Sequence, residues 1–91
     1  MDVEWDPAKA AINRRKHGVD FADAAGALED PYALSRPDPH PSEARMVTVG
    51  RDSLDRLVVV AWTWNEGNVR LISARRATPR ERRQYAEDTD A

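Results

Sequence analysis

The segment Arg56–Trp64 is apolar on both of the faces that a β-strand presents. Its apolar side chains alternate between the two faces, with Val58, Val60, Trp62 and Trp64 on one and Leu57, Val59 and Ala61 on the other. A strand buried on both faces lies in the middle of a sheet, because only there are both faces covered by the rest of the protein. The sequence therefore predicts a sheet with this strand at its centre, and it places Trp62 and Trp64 in the core.

Neighbouring strands are predicted before and after this segment. Arg45–Gly50 is predicted to be a strand in which Met46 and Thr48 lie opposite to Val47 and Val49, and Asn65–Asn68 supplies a hairpin loop that leads into a returning strand, Val69–Arg75. Strict alternation along the returning strand places four side chains on one face: Val69, Leu71, Ser73 and Arg75.

Shorter strands are predicted at Asp2–Trp5 and at Tyr32–Ser35. Trp5 is expected in the core, where it closes the first strand onto the following helix. Arg36–Ser42 is predicted to be a loop, because prolines at positions 37, 39 and 41 cannot donate the hydrogen bonds of a sheet interior. His40 lies in this loop and is expected to take no part in chemistry.

A helix with a clear beginning and end is predicted over Pro7–His17. Asp6 is a good N-cap, Pro7 suits the first helical position, and Gly18 suits the left-handed residue just past the end. Two separate stripes run along this helix. The apolar stripe contains Ala8, Ala11 and Ile12, and the polar stripe contains Lys9, Asn13, Lys16 and His17.

A second helix is predicted from Asp20 to the Asp30–Pro31 pair, with apolar residues at helical spacing: Phe21, Ala24, Ala25 and Leu28. A final helix is predicted over Pro79–Glu87, since Thr78 and Glu81 have the spacing of a capping box.

This order of elements predicts an α+β fold. Two N-terminal helices pack on a twisted antiparallel sheet, and a C-terminal helix follows. Residues 1–91 are expected to form one domain, with an acidic tail from about residue 87 that is disordered.

Charge is unevenly distributed along a chain whose net charge is −2. Pro7–Gly18 contains four lysines and arginines and no acid, and Arg70–Arg83 contains six arginines against one acid, Glu81. An acidic chain can therefore still present a basic face to an anionic partner. The alternative is that these charged side chains form ordinary solvated surfaces with no role in binding.

The absence of cysteine fits a reducing cytoplasm, and no apolar run is long enough to span a bilayer. A soluble cytoplasmic protein without membrane association is expected.

Several short motifs follow one another along the chain: Trp5-Asp6, Lys16-His17-Gly18-Val19, Asp30-Pro31, Ile72-Ser73-Ala74-Arg75, and Glu81 with Tyr85. Together they resemble the BrnT toxin family over nearly the whole chain. The resemblance implies a toxin of a type II toxin–antitoxin system with a fold similar to that of RelE-like ribonucleases. Such a toxin cleaves RNA, blocks translation and is neutralised by a small DNA-binding antitoxin of the BrnA kind. Contact with DNA then comes only through the antitoxin.

RNA cleavage without a metal requires a base for the 2′-OH proton, an acid for the leaving 5′-oxygen, and cations that stabilise charge on phosphorus. The candidate catalytic residues are His17, Lys9, Glu43, Arg45, Arg75 and Tyr85, and the candidate RNA-binding residues are Lys16, Arg70, Arg76 and Arg80. No cofactor is expected, and no histidine and carboxylate spacing indicates a metal site.

Structural alternatives exist for each of these candidates. His17 can instead stabilise the C-terminus of its helix, and Lys9 and Lys16 can be solvated. Arg75 can form an ion pair with a nearby carboxylate, for which Glu43, Glu81 and Asp6 are available. Glu43 can pair with Arg45, and Tyr85 can anchor the last helix to the core. A protein that binds an antitoxin without catalytic activity is the alternative function.

Overall fold

The computed structural model describes residues 2–39 and 44–90. These residues form five strands, three α-helices and one 3-10 helix. In chain order these are β1 (Val3–Glu4), α1 (Pro7–His17), α2 (Phe21–Ala24), the 3-10 helix (Ala25–Glu29), β2 (Leu34–Asp38), β3 (Arg45–Arg51), β4 (Leu57–Asn65), β5 (Asn68–Arg76) and α3 (Pro79–Asp90).

One sheet contains all five strands in the order β1-β5-β4-β3-β2. Neighbours are antiparallel except β1 and β5, which run parallel. The doubly apolar strand β4 has β5 on one side and β3 on the other, so the prediction that it lies inside the sheet is confirmed, as is the mixed α+β class.

The ends of α1 are the predicted ones. The Asp6 carboxylate accepts a hydrogen bond from the Ala8 backbone N–H at 2.8 Å, and Pro7 occupies the first turn. Gly18 has φ 70°, a left-handed conformation in which a side chain is strained, and its N–H donates to the Arg14 carbonyl at 2.8 Å.

The contact face of α1 differs from the prediction. Ile12, assigned to the apolar stripe, is 59% exposed, whereas Asn13 of the polar stripe is buried. The Asn13 amide nitrogen donates to the carbonyls of Val19 and Ala74, and its oxygen accepts from the Ala74 N–H. In the described chain β1 pairs with β5 only at Val69 and Arg70, so the Asn13 amide satisfies the β5 edge that β1 leaves open.

The core lies between one face of the sheet and three helical segments, namely α1, α2 and the 3-10 helix. Phe21, Ala24 and Ala27 pack onto a set of buried sheet residues: Val58, Val60, Trp62, Val69, Leu71 and Ala74. Trp5 packs edge-on against Phe21, as expected for a residue that closes the first strand onto the core. The prediction that Trp64 is a core residue is wrong. It shares the face of Trp62 but is 57% exposed, because it lies near the end of β4.

A β-bulge in β5 changes the predicted orientation of Arg75. Trp62 pairs with Leu71 and the preceding residue, Ala61, pairs with Ser73, so Ile72 is an extra residue in β5. Leu71 therefore faces the helices, whereas Ser73 and Arg75 face the opposite side of the sheet. The prediction that Arg75 shares a face with Val69 and Leu71 is wrong for this reason.

The predicted loop that begins at Arg36 is also partly wrong. Leu34–Asp38 is a strand, and Pro37 lies opposite Met46 of β3. Proline is compatible with this strand because β2 is at the edge of the sheet, where a missing N–H on the outer side breaks no ladder. His40 and Glu43 lie outside the described residues.

A capping box at its first turn and the buried side chain of Tyr85 hold α3 in place. The predicted capping box is confirmed: the Thr78 hydroxyl accepts from the Glu81 N–H, and the Glu81 carboxylate accepts from the Thr78 N–H. Tyr85 is 5% exposed, and its hydroxyl donates to Asp30 at 2.7 Å. The helix continues to Asp90, past its predicted end near residue 87.

Candidate functional site

The face of the sheet opposite α1 and α2 carries a depression of about 270 Å³. Three arginines from three strands line it: Arg36 of β2, Arg45 of β3 and Arg75 of β5. Five further residues complete the lining: Asp38, Val47, Val59, Ala61 and Ser73. The depression is therefore a cationic surface with a small apolar floor.

The strand register explains why these arginines come together. Arg36, Val47, Ala61 and Ser73 are consecutive partners across four strands, a row that spans about 14 Å at the usual strand spacing. Arg75 belongs to the adjacent row on one side, and Arg45, opposite Asp38, belongs to the adjacent row on the other. The small side chains at Ala61 and Ser73 leave space over the floor for the long arginine side chains.

The Arg75 guanidinium is held by Glu81 at the start of α3. Its two terminal nitrogens donate to the two carboxylate oxygens of Glu81, each at 2.8 Å, and Nη1 also donates to the Arg76 carbonyl. The hydrogen bonds from Arg75 lower the pKa of Glu81 to about 2, against the opposing effect of burial. The same hydrogen bond raises the pKa of Arg75, so both groups are charged.

The predicted polar stripe of α1 borders a second depression of about 200 Å³. Lys9, Lys16 and His17 line it together with Ile12, Asn13, Ile72 and Ser73. Ser73 lines both depressions, so the α1 stripe and the arginines of the sheet border adjoining surfaces. Of the residues that the structure describes, none forms a hydrogen bond with the half-buried His17 imidazole. The His17 imidazole is therefore not engaged by another described side chain at the border of this depression.

The remaining predicted cations lie away from these two depressions. Arg70 forms an ion pair with Glu4 at 3.2 Å. Arg76 is exposed at the end of β5, and Arg80 is exposed in the first turn of α3.

Tyr85 attaches α3 to the rest of the protein through its hydrogen bond to Asp30. Burial and the hydrogen bond to Asp30 raise the pKa of its hydroxyl, which disfavours proton transfer near neutral pH. Burial alone would raise the pKa of Asp30, but hydrogen bonds from Arg51, Tyr32 and Tyr85 lower it. Arg51 also lies over the Tyr85 ring, 5.6 Å from its centroid.

Sequence reasoning missed Arg36 as a site residue. The prolines that follow it favoured a loop, and a loop residue has no assigned face. The alternation of Leu34, Arg36 and Asp38 was the available signal, since these three side chains share one face of β2 once it is recognised as an edge strand.

A third groove of about 270 Å³ runs between α3 and the edge of the sheet. Leu34, Val47 and Val49 line it from the strands, and Glu81, Gln84, Glu87 and Asp88 line it from the helix. Arg36 borders both this groove and the arginine-lined depression.

Two other kinds of site are absent from the described residues. Across residues 2–39 and 44–90, no three histidine, cysteine or acidic side chains are grouped as metal ligands. No helix in the same part of the chain has the length and apolar character needed to cross a membrane.

Comparison with known proteins identifies the family. Residues 5–81 match the profile of the family described as the ribonuclease toxin, BrnT, of type II toxin–antitoxin systems. The fold is similar to the crystal structure of the Brucella abortus ribonuclease toxin BrnT, with a TM-score of 0.62 and 26% sequence identity over 86% of this chain and 97% of that chain. No curated protein matches the sequence. The chain belongs to the BrnT family of ribonuclease toxins from type II toxin–antitoxin systems.

Proposed function

We propose that this toxin is a metal-independent endoribonuclease with a RelE-like fold that binds RNA on the face of the sheet opposite α1 and α2. The observation that carries the proposal is the meeting of Arg36, Arg45 and Arg75 around one depression that adjoins His17 and Lys9 at Ser73. Guanidinium groups bind phosphate oxygens through paired hydrogen bonds, so this face suits the RNA backbone.

In this proposal the 2′-OH attacks the neighbouring phosphorus, and the bond to the 5′-oxygen of the next nucleotide breaks. The products are a 2′,3′-cyclic phosphate and a 5′-OH end. The arginines stabilise the extra negative charge on the phosphoryl oxygens as the new bond forms. Of the three, Arg75 is held in place by Glu81, so it needs little reorganisation during the reaction.

His17 and Glu43 are the proposed proton-transfer groups. His17 is suited to either role, because histidine is the side chain that most often transfers protons in enzymes and because it lies beside the arginine-lined depression. Glu43 is retained as the alternative base because it precedes Arg45 by two residues. Lys9 stabilises the charge on the leaving oxygen, and Lys16 binds the backbone of the flanking nucleotides.

The more distant candidates have weaker support. Arg76 and Arg80 are exposed and extend the basic surface beyond the depression, whereas Arg70 is already paired with Glu4. Tyr85 is retained only as a residue that places α3, since its hydroxyl is committed to Asp30.

Family membership implies a cognate antitoxin. We propose that a DNA-binding antitoxin of the BrnA kind neutralises the toxin in the cytoplasm, and that the toxin blocks translation by cutting RNA when the antitoxin is lost. Its contact with DNA is then indirect. The alternative is a catalytically inactive member that acts only as an antitoxin ligand, which is favoured by the net charge of −2 and by the pairing of Arg75 with Glu81.

Incubation of the purified toxin with RNA tests the proposal. The wild-type protein should cleave RNA with and without a chelator, and Arg36→Gln, Arg45→Gln and His17→Gln should each reduce the rate by roughly 10- to 1000-fold. Arg82→Gln is the matched control, because Arg82 is exposed on α3 and lines none of the three depressions.

The same variants should relieve the growth arrest caused by expression of the toxin without antitoxin. Tight antitoxin binding by a protein that does not cut RNA would support the inactive alternative. Cleavage that stops on addition of the chelator would contradict the metal-independent mechanism.

A further inference from the structure

The hydrogen bonds of Arg75 leave one edge of its guanidinium available. A guanidinium has five N–H donors. Two bonds to Glu81 and one to the Arg76 carbonyl use both hydrogens on Nη1 and one on Nη2. The remaining donors are Nε–H and the second Nη2–H, which are parallel on the same side of the group. Neither forms a hydrogen bond with a residue of the described ranges, 2–39 and 44–90.

These two donors form the side-on pair that binds two oxygens of a phosphate. Arg75 lines the arginine-lined depression, so a phosphate bound there meets a guanidinium whose other edge is already fixed. Two parallel hydrogen bonds to one carboxylate restrain both the position and the plane of the guanidinium. Because all five donors lie in that plane, Glu81 also sets the direction of the available edge.

Glu81 is itself fixed from the helix side. Its carboxylate accepts from the Thr78 N–H at 2.8 Å, and its own N–H donates to the Thr78 hydroxyl at 3.2 Å. Its side chain is only 13% exposed, whereas that of Arg75 is 42% exposed. The capping box thus holds the carboxylate in place, and the more exposed Arg75 depends on it for orientation.

We propose that Glu81 is a positioning residue for RNA cleavage, which orients Arg75 so that its Nε–Nη2 edge binds the phosphate in the arginine-lined depression. This inference rests on the proposed nuclease function. It assigns to the first turn of α3 a role in the site, although Glu81 itself touches no substrate.

Glu81→Gln separates this role from the stability of α3. Glutamine also completes a capping box, so the bond to Thr78 is retained. Its amide offers only one oxygen to Arg75 and carries no charge, so the paired contact is lost. Glu29→Gln, at an exposed position away from the site, is the matched control.

Binding of an RNA phosphate to Arg75 is measured by the NMR signal of the Arg75 Nε–H in the full-length toxin. The probe is a short RNA oligonucleotide with 2′-deoxy substitution, which cannot be cleaved through the 2′-OH. In the wild type and in Glu29→Gln the signal should shift on addition of the oligonucleotide. In Glu81→Gln the shift should be at least halved, while the protein remains folded at the temperature of the measurement.

Kinetics supply the second readout. Glu81→Gln should lower kcat about tenfold and change KM less than threefold, and Arg75→Gln should lower kcat more. The double variant should be no slower than Arg75→Gln alone, because Glu81 acts only through Arg75.

Additive losses in the double variant, or an unchanged Nε–H shift in Glu81→Gln, would overturn the positioning role. A wild-type protein that binds the oligonucleotide through the Arg75 Nε–H but cuts no RNA would contradict the proposed nuclease function and leave the orienting role of Glu81 supported by the binding data.

Discussion

At the residue scale, Asn13 shows how one buried amide replaces a missing strand. It is 6% exposed, and it bonds both the N–H and the carbonyl of Ala74 as well as the carbonyl of Val19. Three elements meet at this side chain, namely α1, the corner before α2, and β5. The basic stripe of α1 is positioned beside Ser73 because Asn13 lies in the middle of it.

Asn13→Ala should destabilise the protein by about 2–3 kcal/mol, because it leaves buried backbone groups of Ala74 and Val19 without partners. Urea unfolding followed by circular dichroism measures the loss. Ile12→Ala, one position earlier and largely exposed, is the control and should cost under about 1 kcal/mol. Equal losses in the two variants would contradict the role given to the amide.

The Arg75–Glu81 pair makes stability depend on pH. The pKa of Glu81 is about 2 in the folded protein and 4.5 ordinarily. Because the pKa of Glu81 is lower in the folded protein, its ionised carboxylate stabilises the fold at pH values above the ordinary pKa. This stabilisation is lost as pH falls from about 4.5 towards about 2. With allowance for solvent screening at the partly exposed Arg75, the contribution is on the order of 1–2 kcal/mol.

Melting temperatures measured between pH 6 and pH 2 test this dependence. The wild type should lose stability more steeply below about pH 4.5 than Glu81→Gln does, because the variant has no carboxylate at this position. Asp30, whose pKa is also lowered, contributes in the same direction in both proteins, so the difference between the curves isolates Glu81. Parallel curves would contradict the assignment.

At the element scale, the 3-10 helix packs closely against strand β3. A Cβ added to Gly50 of β3 would lie 2.7 Å from the Ala27 carbonyl oxygen in the 3-10 helix and 3.2 Å from the Ala33 Cβ. Gly50 therefore sets how closely the 3-10 helix approaches β3. That approach covers one face of the sheet with α2 and the 3-10 helix, and the arginines and α3 share the opposite face.

Gly50→Ala should cost about 2–3 kcal/mol, because backbone atoms on both sides must move to admit a methyl group. Gly18→Ala is the comparison, since the space around Gly18 is open and only its φ of 70° is unfavourable; it should cost about 1 kcal/mol. Thermal unfolding of both variants provides the measurement. A Gly50 variant no less stable than the Gly18 variant would show that the two elements are not in close contact.

At the scale of the whole molecule, charge is segregated although the net charge is only −2. Arg36, Arg45 and Arg75 line one face of the sheet, and Lys9 and Lys16 extend that surface around the edge of β5. Acidic residues of α3, among them Glu87 and Asp88, line the neighbouring groove. The proposed function confines RNA binding to this basic surface, and salt should weaken such a contact.

RNA affinity should therefore fall with salt in proportion to the number of phosphate contacts. Five contacts predict a slope of roughly −3 to −4 in a plot of log K against log salt concentration. Arg36→Gln should make the slope shallower by about 0.7, whereas Arg82→Gln should leave it unchanged. Fluorescence anisotropy with an uncleavable oligonucleotide measures both. A slope near zero in the wild type would contradict RNA binding by this surface.

Predictions that depended on local chemistry were confirmed. The Asp6 cap, the turn at Gly18, the Thr78–Glu81 capping box and the inner position of β4 each follow from a short stretch of sequence. Predictions of which side a residue faces were less successful. Ile12, Trp64 and Arg75 have other surroundings than predicted, because periodicity does not say which helix stripe is covered, where a strand extends past the core or where it bulges.

The sequence by itself determined both ends of α1, the start of α3, the central strand and the family, because these depend on residues that are close together in the chain or on motifs that occur in a given order. Only the tertiary structure decided that Arg36, Arg45 and Arg75 line one depression and that Glu81 holds Arg75. The bulge at Ile72 and the edge position of β2 set the faces of Arg75 and Arg36. Both arise from pairing between strands distant in the chain, which is why alternation within a single strand could not reveal the depression.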